Sequence, residues 1–157
     1  MLKMTKQYQY KHIQVAVDGS KEADLAFKKA VTVAKHMNAT LEILHVIDTR
    51  SFQNVSSFDS AMVEQVSNDA KKKMEKYYQE AVDAGVKEVH YSIEFGSPKS
   101  IISREFPKKH DIDLIVVGAT GLNAVERLLI GSVTEYITRT ADCDVLVVRH
   151  NTAGLDR

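Results

Sequence analysis

Along residues 12–18 (HIQVAVD) apolar and polar positions alternate, with Ile13, Val15 and Val17 on one side, and Gly19-Ser20 ends the run; this predicts a first strand. The pattern then changes period. Ser20 is placed to cap a helix, Glu22 and Asp24 suit its positive end, and Ala23, Phe27, Ala30, Ala34 and Met37 fall on one stripe, so a helix is expected to about His36. Leu41 to Ile47 (LEILHVI) is apolar on both sides, as in a strand covered on both faces.

A polar stretch from Asp48 to Ser57 follows, then a long segment rich in Glu, Lys, Met and Ala that predicts the longest helix, with Gly85 at its C-cap. Residues 89–95 (VHYSIEF) alternate, Val89, Tyr91, Ile93 and Phe95 against His90, Ser92 and Glu94, the signature of an edge strand solvated on one face. Ser97-Pro98 opens a short third helix that Pro107 perturbs or ends. Ile112 to Gly118 (IDLIVVG) reads as a buried central strand, Ser132 to about Thr140 as a fourth helix, and Asp144 to Val148 as a fifth strand. Strands alternating with helices predict an α/β, Rossmann-like fold: a five-stranded, mostly parallel open sheet with helices on both faces.

Length and composition restrict the rest. A chain of 157 residues suits one domain, read here as 1–157 with polar tails at 1–10 and 150–157. With 21 basic and 21 acidic residues there is no overall attraction to nucleic acid or anionic lipid. Lys71, Lys72, Lys73 and Lys76 are interleaved with Glu64, Asp69, Glu75 and Glu80, which is a solvated helix face and not a nucleic-acid footprint. No window approaches the ~20 apolar residues of a membrane span, and the polar stretch MLKMTKQYQYKH has no apolar run of signal-peptide length. Cys143 is the only cysteine, which removes intrachain disulfides and CxxC chemistry and fits a reducing compartment; a cytoplasmic location is expected.

The chemistry concentrates where glycine does. Three of the seven glycines, Gly118, Gly121 and Gly131, stand in the segment GATGLNAVERLLIGSV between the fourth strand and the fourth helix. Gly118 and Gly121 allow a sharp turn and close approach of a ligand to the peptide amides. Gly131, Ser132 and Val133 form a helix entry, where amides and dipole favour a phosphate and Ser132 adds a hydroxyl. Ligands of open α/β sheets bind at the carboxyl ends of the strands, so Asp18, ending strand one, is expected to face the same crevice. Its carboxylate suits a ribose hydroxyl or a magnesium ion, direct or through water, and equally the cap of helix one.

VAVDGS near the start, LHVID, GSP and the tail GATG...GSVTEYI...VLVVR together resemble the ATP-binding branch of the universal stress protein family, over residues of about 10 to 149. The resemblance implies the strand order 3-2-1-4-5. It also implies an ATP site in which Ala16 and Asp18 line the pocket and the Val46 backbone recognises adenine. Gly118, Gly121, Gly131, Ser132 and Val133 then surround ribose and phosphates. A homodimer through antiparallel fifth strands is implied as well, and the apolar edge Val145 to Val148 needs such cover. The departures are Ala16, where some relatives have proline, and Asp144, where proline is common.

Function follows from what is missing as well. Without a Gly-Lys-Ser/Thr P-loop, the lysine that compensates β and γ phosphates is absent, and fast ATP hydrolysis is not expected. Without GxGxxG after strand one, a nicotinamide oxidoreductase is not expected either. His45, alone in an apolar strand, reads as a packed residue and not a general base, and Cys143 lacks an activating partner. No residue is assigned a catalytic role. The reading is a dimeric, ATP-binding regulatory protein; the alternative is a slow magnesium-dependent ATPase or phosphotransferase, including self-phosphorylation on loop hydroxyls such as Thr120 or Ser132. Arg127, between the glycines, reads as a solvated side chain, a contact to the terminal phosphate being the weaker reading.

Overall fold

In the computed structural model the described residues are 9–52, 60–120 and 130–149. The five strands β1 (His12–Ala16), β2 (Thr40–Asp48), β3 (Glu88–Gly96), β4 (Leu114–Gly118) and β5 (Asp144–Val148) form one sheet in the order 3-2-1-4-5. Every neighbouring pair is parallel. The long helices are α1 (Lys21–Met37), α2 (Ser60–Ala84) and α5 (Ser132–Thr140). Between β3 and β4 a continuous helical run comprises α3 (Pro98–Ser100), a π-helical turn (Ile101–Glu105) and α4 (Phe106–Lys109). A short 3-10 turn, Thr49–Phe52, follows β2.

Each face of the sheet has its own core. On one, Ile13, Val15, Leu41, Ile43 and Val116 meet the predicted stripe of α1 together with Met74 and Ala81 of α2. On the other, Leu44, Ile115 and Val117 meet Ile101, Ile102 and Phe106 of the helical run and Ile137 of α5. Burial of these side chains contributes about 1.5–3 kcal/mol each for the larger aliphatics, which is what fixes the layers.

Three local features depart from the sequence pattern, and at Pro107 one of two expected outcomes, perturbation of the helix, is the one observed. β1 stops at Ala16 because Asp18 and Gly19, with φ of +83°, turn the chain toward α1. β4 begins at Leu114, two residues late: the Asp113 carboxylate instead accepts from the amides of Lys11 (2.8 Å) and His12 (3.1 Å), pinning the entry of β1. Val89, Tyr91 and Ile93 face the α1–α2 core as expected, whereas Phe95, at the end of an edge strand, is 43% exposed. Pro107 does not end its helix. The run passes through it with the wider π spacing, the Phe106 amide donating to the Ile101 carbonyl five residues back.

Candidate functional site

The carboxyl ends of β1 and β4 are neighbours in the middle of the sheet, and their connections leave to opposite faces, β1 to α1 and β4 toward α5. This is the switch point at which open α/β sheets offer a crevice.

The turn after β1 is built from side chains that satisfy its own backbone. The Val17 amide donates to the Leu44 carbonyl (2.9 Å), and the Val17 carbonyl accepts from His45 Nδ1 (2.8 Å), so that nitrogen carries the proton. His45 is thus a half-buried positioning residue. Asp18 Oδ1 accepts from the Ser20 amide (2.9 Å), and Ser20 Oγ accepts from the Ala23 amide (3.1 Å). Ser20, not Asp18, therefore caps α1. Asp18 is exposed, and its Oδ2 has no hydrogen bond among the described residues.

The turn after β4 is held differently. The Ala119 amide donates to Val148 of β5 (2.9 Å), the Gly118 carbonyl accepts from Thr134 Oγ1 (2.7 Å), and the Ala119 carbonyl accepts from the Gly131 amide (2.8 Å). The last two bonds fix the start of α5 against the end of β4. The amide of Gly131 is consequently engaged within the protein, unlike the free donor expected of it. Ser132, Val133 and Thr134 occupy the first three helical positions, whose amides have no partner within the helix. Gly131, as N-cap, supplies no side-chain acceptor for them. α1 is capped by its own serine, whereas the entry of α5 has no side-chain cap among the described residues.

Gly118 has a second reason to be glycine. A Cβ there would lie 2.9 Å from both the carbonyl carbon and oxygen of Glu22, so the missing side chain allows α1 to pack on β4. Ala16, Val46 and Val133 all lie half-buried against the core that includes Leu44, Val117 and Ile137. Ser132 is exposed, and Thr120 is half-buried in the turn after β4. Gly121 and Arg127 lie outside the described residues. Thr134 was not anticipated; its signal was a hydroxyl at the third position of a helix that follows a glycine cap.

Asp18 stands without other protein ligands for a metal: among the described residues no group of three or more His, Cys, Asp or Glu side chains is assembled for one. Cys143 is half-buried, and burial, with Asp144, Asp113 and Asp142 nearby, pushes its thiol up to about 11, far from a reactive thiolate.

The universal stress protein family model matches residues 9–149. The chain belongs to the universal stress protein family. It is 49% identical over 140 residues to a protein of Staphylococcus aureus (strain USA300) named as a universal stress protein, covering 89% of this chain and 84% of that protein. The universal stress protein UspA from Lactobacillus plantarum superposes with a TM-score of 0.76 at 33% identity, over 91% of this chain and all of that one. A universal stress protein solved in complex with cAMP matches with a TM-score of 0.66 at 25% identity, over 90% of this chain and 98% of that chain. The universal stress protein fold and its strand order thus agree with the arrangement described above.

Proposed function

We propose that this universal stress protein binds an adenine nucleotide, ATP, in the crevice between the ends of β1 and β4. The observation that carries the reading is the glycine-capped start of α5: the Ser132, Val133 and Thr134 amides and the Ser132 hydroxyl are held beside the end of β4 with no acceptor among the described residues, a ready anion site. Ala16, Val46 and Val133 supply an apolar rim for the base, and Asp18 an exposed acceptor for ribose, or for magnesium whose other ligands come from phosphate and water. The relative bound to cAMP supports an adenine nucleotide as the ligand class.

The protein acts in this reading as a single-domain cytoplasmic regulator with little or no turnover, its bound nucleotide altering a homodimer joined through β5. Val148 directs its carbonyl to β4, so alternate residues Val145 and Val147 turn their backbone groups to the free edge. Val147→Pro would remove one of those donors and is expected to yield a monomer in sedimentation equilibrium.

Ser132→Pro tests the site. Proline suits the first helical position, and Gly131 already has the extended conformation (ψ 157°) that precedes proline, so α5 survives while one amide and one hydroxyl are lost. Calorimetric titration should show ATP bound about 10- to 100-fold more weakly, as expected for charge-assisted hydrogen bonds of about 1.5–3 kcal/mol. Equal affinity in both proteins removes α5 from the site. Magnesium-dependent ATP turnover that disappears in Asp18→Ala would instead make the protein a slow ATPase.

A further inference from the structure

Toward the amino ends of the strands, away from the crevice, one face of β1, β2 and β3 carries polar side chains in register. His12, Thr40 and Glu88 form one row across the sheet, and Gln14, Glu42 and His90 the next. In the second row Gln14 is fully buried and Glu42 only 8% exposed. Gln14 donates through Nε2 to the Ile102 carbonyl of the π turn at 3.0 Å, and its Oε1 is buried with no partner. A buried carbonyl left unpaired is costly and calls for a donor. Its register neighbour on β2 is Glu42, one strand spacing of about 4.8 Å away on the same face. A carboxylate brings acceptors alone; the carboxylic acid brings an O–H.

We propose that Glu42 is a buried proton-binding site whose acid form donates to Gln14 Oε1, so that protonation links β2 through Gln14 to the π turn. Burial, the leading cause, holds the Glu42 carboxyl above the usual carboxylate range. The titratable groups bearing on it are His90 and Glu88 from β3, His12 from β1 and His110 at the end of α4. Positive charge on the imidazoles favours the carboxylate and Glu88 favours the acid. The folded chain binds the Glu42 proton more tightly than the unfolded chain. Its contribution is therefore complete below the ordinary carboxylate value and is lost as pH rises through the folded one.

Carbon-13 NMR titration of the full chain, with the Glu42 carboxyl assigned by its absence from Glu42→Gln, reads the site directly. The Glu42 midpoint should lie above those of the exposed glutamates, fall toward them in Gln14→Met, and rise in His90→Gln. A midpoint among the exposed glutamates, or one unmoved in Gln14→Met, overturns the proposal. Should Gln14→Met fail to fold, urea unfolding of wild type and Glu42→Gln decides. The wild-type folding constant should gain at least about twofold relative to Glu42→Gln as pH falls from neutral to about 5, and a constant ratio overturns the proposal.

Discussion

Gln14 of β1 completes the hydrogen bonding of a helical run it does not belong to, its Nε2 donating to the Ile102 carbonyl at 3.0 Å. In the π spacing Ile102 would receive the amide of residue 107, and Pro107 has none. Gln14→Leu therefore leaves a buried carbonyl unpaired and should cost about 1–3 kcal/mol in urea unfolding. The same substitution made in Pro107→Ala, where an amide is restored, should cost less; an unchanged cost would mean that the two groups do not share one acceptor.

Gly118→Ala places a methyl group 2.9 Å from the Glu22 backbone, where neither atom belongs to a flexible side chain. α1 must move off β4, and a loss of about 1–3 kcal/mol is expected, visible as a lower Tm. An unchanged Tm would show that the helix yields at no cost.

Thr134→Val keeps the shape but removes the 2.7 Å bond to the Gly118 carbonyl. Stability should fall by about 1 kcal/mol, and ATP affinity with it, because the first turn of α5 loses a tether to β4. Thr134→Ser should retain both. Calorimetry on the two variants separates the hydroxyl from the methyl group.

Acid acts on Glu88 with the sign opposite to that for Glu42. The Thr40 hydroxyl, donating at 2.7 Å, holds the Glu88 carboxyl below the usual carboxylate range. The stabilisation is present above the ordinary value and is lost as pH falls through the depressed one. NMR titration of Thr40→Val should find the Glu88 midpoint raised toward that of an ordinary glutamate; no movement would assign the depression to His90 and His12.

The architecture was legible because each strand in the sequence carried its burial with it: continuous apolar runs at Leu41–Ile47 and Ile115–Val117 became central strands, and the alternation around Tyr91 became an edge. The capping serine of α1 and the open entry of α5 were legible too, since capping chemistry is local. What escaped was contact between distant segments. Nothing near Gly118 in the chain announces Glu22, nothing near Gln14 announces Pro107, and the engagement of the Gly131 amide depends on Ala119 twelve residues earlier. Asp113 likewise looked like part of a strand because its partners, the amides of Lys11 and His12, lie a hundred residues away.

The bond between Ala119 and Gly131 clasps the exit of β4 to the residue that precedes α5, so strand and helix are joined through space as well as along the chain. A bond that fastens the cap of α5 to the turn after β4 lowers the entropic cost of holding that helix against the sheet.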